Sequence, residues 1–326
     1  MEKNTRKIRI VVNPISGTHA KREIVEVVER RLRDMGYYVD CRVTQYGGHA
    51  SELAAEAAEE GYYGVIAAGG DGTVNECARG VMDTDTALGI IPLGSGNGLA
   101  RHIATSIDVD HALNVICADN IVDCDYGTAN DIPFFCTFGL GFDAAVSERF
   151  AQMHRRGLGA YLQSAMREYF SFKPDDYEIE TPEGTLKTKA FILTVANASQ
   201  YGNNAYIAPQ ASIRDGLLDF TILTSPNPVI HALAGIRLFS GRIDSTFSIQ
   251  TMQTSRAVIR RTGNAAHADG ENVSLPDEIT VECHRGGLKI FTDPSKTPFK
   301  PISTPLQSLR EDVNFMIRTT IDRIKR

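Results

Sequence analysis

Three times in its first hundred residues the chain runs from an apolar strand pattern through a glycine-bearing turn into a helical pattern. The first junction leads from residues 8–12 through Asn13-Pro14-Ile15-Ser16-Gly17 to a helix over 21–35. The second leads from 64–68 through Gly69-Gly70-Asp71-Gly72-Thr73 to a helix over 74–82. The third leads from 87–91 through Pro92-Leu93-Gly94-Ser95-Gly96-Asn97 to a helix over 97–103. Strand, turn and helix in repeated order demand parallel strands, because each helix carries the chain back across the sheet. The turns then gather at the carboxyl ends of the strands, the edge where open α/β sheets take their ligands.

The residues in these turns suit an anion. Glycine allows positive φ and lets a charged group approach the main chain, so that N–H groups at a helix start converge on phosphate. Asp71 places a carboxylate in that nest. Beside a phosphate it repels, unless a cation or a transferable proton lies between the two. Asp71 therefore reads as a holder of Mg²⁺, direct or through water, against a nucleotide polyphosphate. The plainer reading is a surface turn in which Asp71 or Thr73 caps the helix. Ser95 and Asn97 can donate to phosphate or ribose oxygens.

With 326 residues the chain can bury a sizeable core and is expected to form two domains. A net charge of −6 argues against a nucleic-acid partner, which needs a basic footprint, and against permanent electrostatic docking on anionic membrane, while leaving room for a local basic patch. The six cysteines are scattered with no C-x-x-C pair, as buried small residues in a reducing compartment would be. The apolar run before Asn13-Pro14 is too short for a signal peptide, and no stretch reaches transmembrane length. The expectation is a cytoplasmic protein.

Residues 1–125 form the α/β unit, with a further strand at 37–43, a helix at 51–60 and Asp108 or Asp110 as cap of a helix through 117. This is a doubly wound, Rossmann-like unit. From about residue 121 the pattern changes to short β-branched or aromatic runs at 121–127, 133–142, 177–181, 186–195, 217–224, 246–251, 257–261, 278–283 and 288–291. Such runs, punctuated by Gly, Pro and Asn, predict an antiparallel sandwich or open barrel over 126–293. Helical insertions interrupt it at 143–172 and 228–241. Residues 294–304 read as a Pro-rich linker and 306–326 as an amphipathic helix. That helix packs back onto a domain or onto a second copy, which leaves a homodimer open; the alternative is a membrane contact.

Together, N-P-x-S-G at Asn13, G-G-D-G-T-x-N-E at Gly69 and P-L-G-S-G-N-x-L-A-R at Pro92 resemble the diacylglycerol kinase catalytic domain family. Its members include bacterial soluble lipid kinases, diacylglycerol kinases, sphingosine kinases and ceramide kinases. The resemblance covers roughly residues 6–293. It implies an α/β nucleotide domain, a β-rich second domain and an active site in the cleft between them. It implies that Asn13, Ser16, Thr44, Gly69, Gly70, Asp71, Gly72, Thr73 and Ser95 hold ATP. It further implies that Asp71 serves the nucleotide's Mg²⁺ and that a lipid at the inner membrane surface is the acceptor.

Two later segments carry the resemblance on. Residues 208–219, with Asp215-Gly216, resemble a stretch that holds a structural Mg²⁺ in bacterial members. Asp215 matches the metal-binding aspartate, and Ser212 and Leu217 match positions offering backbone carbonyls. Without the family, Asp215-Gly216 reads as a turn. His267-Ala268-Asp269-Gly270-Glu271 matches the family's D-G-E, whose glutamate is taken as the general base, which makes Glu271 the candidate. Asp143 reads first as a helix cap and second as part of the metal network, and Asn197, Tyr201 and Gly202 as residues shaping the cleft. Ser95 stands where many diacylglycerol kinases have threonine, and Asn97-Gly98 where they have Asn-Asp. Gly98 resembles sphingosine-kinase-like members, so the acceptor stays between a diacylglycerol-like and a sphingoid lipid. The rivals are a NAD-kinase-like enzyme acting on a soluble acceptor and a non-catalytic, nucleotide-regulated lipid-binding protein.

Overall fold

The computed structural model describes residues 6–14, 19–103, 108–151, 169 and 172–293. Ser16, much of the helical insertion expected at 143–172, the linker at 294–304 and the helix expected at 306–326 lie outside them. The chain forms two compact units. One takes the described residues through Cys124 and again from Gly286; the other takes Asp125–Arg285.

In the first unit, β1 (Lys7–Val12), α1 (His19–Asp34), β2 (Tyr38–Val43), α2 (His49–Glu59), β3 (Gly64–Gly69), α3 (Asp71–Val81), β4 (Ala87–Pro92), α4 (Gly98–His102) and α5 (Val109–Cys117) follow in order. The strands lie β2-β1-β3-β4, all parallel, as the repeated junctions require. Every residue of β3 and β4 is buried, the mark of a sheet covered on both faces. Ile8, Ile10, Val28, Leu32, Ile66, Ile91, Leu113 and Ile116 share one core. Asp108 caps α5 as expected, its carboxylate accepting from the N–H groups of Asp110 and His111 at 2.9 and 3.4 Å.

The chain leaves this unit along β5 (Ile121–Ala129) and builds β6 (Ile132–Phe134), β7 (Thr137–Gly141), α6 (Phe142–Ala151), β8 (Asp175–Thr181), β9 (Gly184–Ala190), β10 (Ile192–Ala196) and β11 (Leu218–Leu223). Then come α7 (Pro228–Ser240), β12 (Ile249–Thr254), β13 (Arg256–Arg261), β14 (Ala266–Ala268), β15 (Glu271–Asn272) and β16 (Glu278–Phe291). One antiparallel layer runs β12-β11-β10-β7-β14-β15, and β16, β13, β8 and β9 pair antiparallel in the other. Phe138, Leu193, Val195, Phe220 and Ile222 of the first layer share a core with Ile179, Ile259, Ile279 and Val281 of the second. This is the sandwich that the short strands predict.

The strands differ from the sequence pattern at three places. Residues 186–195 read as one strand but are β9 and β10, which lie in different layers. The corner is Phe191, whose N–H donates to the Leu223 carbonyl at 2.7 Å and whose carbonyl accepts from Phe142 at 2.9 Å. Residues 133–142 divide likewise into β6 and β7. Conversely, 278–283 and 288–291 are the single strand β16, with Gly286 at φ 63° where the apolar alternation lapses. From Gly286 onward this strand belongs to the first unit, with Ile290 beside Leu88 of β4. Alternation alone gives no sign of that return.

Helices α2 and α3 touch at a position that tolerates no side chain. A Cβ on Gly80 would lie 2.5 Å from the Ser51 carbonyl oxygen and 2.6 Å from the Ala54 methyl. Gly80→Ala should therefore cost about 1–3 kcal/mol, seen as a lower urea midpoint at unchanged slope. Gly235→Ala in α7, with nothing within 4 Å of the new methyl, should gain about 0.5–1 kcal/mol by helix propensity.

Candidate active site

β1 lies between β2 and β3, so the chain leaves it toward one neighbour and returns on the other side. That reversal is the switch point where α/β sheets open a crevice at their carboxyl ends. The ladder continues one residue beyond each strand: Asn13 N–H donates to the Ala68 carbonyl at 3.3 Å, Thr44 to Val12 at 2.9 Å and Leu93 to Gly69 at 2.8 Å. Asn13, Thr44, the Gly69–Thr73 turn and the turn holding Ser95 thus share one edge. The Asn13 amide reaches across to the Thr73 hydroxyl at 3.2 Å, tying the end of β1 to the start of α3.

α3 begins at Asp71, three residues before the apolar pattern suggests. Its N-cap, Gly70, supplies no side-chain cap. The first-turn N–H groups of a helix have no intrahelical acceptors, and together with the dipole they suit phosphate. Gly72 and Ser95 are exposed beside them.

The Asp71 carboxylate joins the second and third glycine turns. Its Oδ2 accepts from Asn97 N–H at 2.9 Å and its Oδ1 from Gly98 N–H at 2.7 Å. It thus caps α4, not its own helix. Asn97 sits at φ 54°, ψ 47°, a left-handed conformation that asparagine tolerates. Its side chain closes the turn, donating to the Gly94 carbonyl at 3.0 Å and accepting from Gly94 N–H at 3.2 Å. Glu76, the last residue of the second motif, acts in the same way. Its two oxygens accept from Gly48 and Ala50 at 2.9 and 3.1 Å, at the start of α2.

In the second unit, Asp215 lies in a turn before β11. Its Oδ1 accepts from Leu217 N–H at 3.0 Å and its carbonyl accepts from the Arg285 guanidinium at 2.7 Å. Burial raises its pKa, and the charge of Asp125 adds to the rise. Asp125 is buried and accepts from Gly216 N–H at 2.7 Å, so it fixes the Asp215-Gly216 turn. Asp219 lies four residues on. Its Oδ1 accepts from Gln253 at 3.0 Å, while its Oδ2 is buried without a hydrogen-bond partner. Burial pushes the Asp219 carboxyl up to about 6, with Asp215's charge contributing. An orphaned buried oxygen beside a second carboxylate fits a hard cation that takes few carboxylates and completes its shell with carbonyls and water. Among the described residues no group of three or more His, Cys, Asp or Glu side chains forms a metal cage.

Asp269 and Gly270, at φ 50° and 84°, make the two-residue turn between β14 and β15. The Asp269 carboxylate accepts from the N–H groups of Phe135, Cys136 and Thr137, each at 2.8 Å. It holds the β6–β7 corner. Glu271 stands exposed at the start of β15. Behind the turn, Gly270 N–H donates to His267 Nδ1 at 3.2 Å, which leaves the ring proton on Nε2, 3.4 Å from Asp143. Asp143 also accepts from Thr194 and Tyr201, each at 2.8 Å, and from Ala144 N–H at 3.0 Å. It lies inside the first turn of α6, where it is not the N-cap, and anchors this buried cluster.

Sequence reading missed Asp125, Asp219, Arg285 and the Asp143–His267 pair. Asp125 shares its strand, I-V-D-C-D-Y-G-T-A, with a second acid, Asp123, and nothing in the residues sets it apart.

Comparison with known proteins accounts for both units. The family description "Diacylglycerol kinase catalytic domain" matches residues 7–129, and "YegS C-terminal NAD kinase beta sandwich-like domain" matches 137–292. A "Probable lipid kinase YegS-like" of Chromohalobacter salexigens is 35% identical over 215 residues, 64% of this chain and 69% of that protein. One of the same name from Pseudomonas putida is 31% identical over 234 residues, 70% and 77% of the two chains. A crystal structure of a diacylglycerol kinase from Bacillus anthracis superposes with a TM-score of 0.69 at 17% identity, covering 90% of this chain and 99% of that one, a likeness of fold. The G-G-D-G-T and S-G-N turns at one sheet edge, and the sandwich that follows them, place the chain in the diacylglycerol kinase catalytic domain family, as a lipid kinase of the YegS type.

Proposed function

We propose that the enzyme transfers the γ-phosphoryl group of ATP to a hydroxyl of a diacylglycerol-like or sphingoid lipid at a membrane surface. The observation that carries the nucleotide part is the start of α3, which has no side-chain cap and lies at the sheet's switch point. Asn13, Ser16, Thr44, the Gly69–Thr73 turn and Ser95 hold the nucleotide. Asp71, in the same turn, serves the nucleotide's Mg²⁺, most simply through water. When bound, Mg²⁺ neutralises charge on the phosphate oxygens.

Glu271 is the general base. Its carboxylate accepts the proton of the lipid hydroxyl as that oxygen bonds to the γ-phosphorus and the bond from the γ-phosphorus to the bridging oxygen of ADP breaks. The Asp269-Gly270 turn and His267 behind it set where Glu271 stands. Asp215, with the carbonyls of Ser212 and Leu217, holds a second Mg²⁺, and the orphaned oxygen of Asp219 supports a cation in that place.

With γ-labelled ATP and Mg²⁺, label should enter one lipid of a panel of diacylglycerol, monoacylglycerol, ceramide, sphingosine and dihydrosphingosine in mixed micelles. NAD in buffer should stay unlabelled. Glu271→Gln should lower turnover by about 10²–10⁴ with ATP affinity unchanged. Near wild-type turnover in that variant removes the base, and label in NADP alone removes the lipid.

The Asp219 carboxyl supplies a second test. Its folded pKa lies above the ordinary 3.8, so the folded state binds the proton more tightly than the unfolded state does. Stability without metal must then fall as pH rises from about 4 to about 6, by roughly 2–3 kcal/mol. In EDTA the melting temperature should drop across that window. Mg²⁺ should restore it above about pH 6, and Asp219→Asn should flatten both responses. A wild-type profile that Asp219→Asn leaves unchanged would contradict the assignment.

A further inference from the structure

α7 is apolar on two faces. Its sequence, P-V-I-H-A-L-A-G-I-R-L-F-S, contains no acid, and only Ala234 is fully buried. Ala234 and Ile230 pack with Phe191 and Leu223, and Leu238 packs with Ile207 and Ile243. The outward stripe is Val229, Ala232, Leu233, Ile236 and Phe239, all exposed and at helical spacing. Val229 is 74% exposed and Ile236 69%, and Phe247, just past the 3₁₀ turn Ile243–Ser245, is 86% exposed. Half of the large exposed apolar side chains among the described residues fall in this one segment. A solvated helix carries charge at such positions, and a contiguous uncharged stripe marks a surface that something covers.

The stripe is too small for a second copy of the chain. Thirteen residues span about 20 Å, and six outward side chains compare with the roughly 20–30 residues a side of a stable protein interface. Its charge favours lipid. The chain carries −6 overall, yet this segment has Arg237 and Arg242 against the single acid Asp244. Arg237 lies at the stripe's end, its guanidinium donating to the Ser245 carbonyl at 2.6 Å. Apolar side chains flanked by arginine match acyl chains beneath anionic headgroups.

We propose that the outward face of α7, with Phe247, is the surface on which this kinase lies on an anionic bilayer. The proposal rests on the lipid-kinase assignment and is independent of the role given to Glu271. The chain contains no tryptophan, so Ile236→Trp and Phe247→Trp each introduce a single fluorophore. On mixed phosphatidylcholine–phosphatidylglycerol vesicles, emission from both should shift to the blue and be quenched by acyl-brominated lipid. Tyr38→Trp, at an exposed position of the first unit, should do neither.

The double variant Ile236→Glu, Phe247→Glu should lose vesicle co-sedimentation at least tenfold. Its melting temperature, ATP affinity and turnover of a dispersed short-chain acceptor should be unchanged. Silent tryptophans, or a double variant that sediments like wild type, overturn the proposal. So does light scattering in which the wild type is a dimer and the double variant a monomer, since a second copy then covers the face. Wild-type protein that binds vesicles but phosphorylates no lipid supports the docking surface and removes only the reaction proposed above.

Discussion

The sheet edge proposed to hold the nucleotide depends on one carboxylate. Asp71 starts α3 and accepts two N–H groups from the neighbouring turn, so two loops that follow different strands are held as one. Hydrogen bonds to a charged group contribute about 1.5–3 kcal/mol each. The glycines around it are what allow the approach. A Cβ on Gly94 would lie 2.5 Å from the Gly70 Cα, and one on Gly96 would lie 2.6 Å from Asp71 Oδ2. With the turns locked by Asp71, the start of α3 can stay without a side-chain cap at the switch point of the sheet.

The same arrangement recurs in the second unit. Asp269 takes three main-chain N–H groups, and that anchors the turn from which Glu271 projects. Asp125 takes the Gly216 N–H and thereby sets Asp215. Asp143 gathers Thr194, Tyr201 and His267 behind the Glu271 turn. Asp269 and Asp125 fix backbone, and Glu271 and Asp215, the acids proposed to act, stand beside them. A motif such as D-G-E thus combines two physical roles, a left-handed turn with its anchor and a carboxylate placed by it.

Much of this is legible in the residues. Three strand–turn–helix junctions dictate the parallel sheet, and its order puts the expected nucleotide residues on one edge. The apolar periods give most elements to within a few residues. What they do not give is where a strand changes layers. Phe191 and the Phe135-Cys136 corner belong to continuous apolar runs, and their breaks are visible only in which carbonyl or carboxylate receives each N–H. Arg9 is a similar case. It sits in an apolar run and is buried, paired with Asp40 and Glu56 at 3.0 and 2.8 Å, partners 31 and 47 residues away. Asp219 gives no sign in sequence of its orphaned oxygen, because the desolvation that raises its pKa comes from residues folded around it.

The most direct test of the claim that Asp71 builds the nucleotide edge is calorimetric titration of ATP into Asp71→Asn, with Mg²⁺ and again in EDTA. Asparagine offers one acceptor oxygen and turns an NH₂ group toward a backbone donor, so the two turns should come apart whether or not metal is present. The account predicts at least a tenfold loss of affinity in both conditions. A loss confined to Mg²⁺, with wild-type affinity in EDTA, would show that Asp71 serves the metal alone and that the glycine turns hold their shape without it.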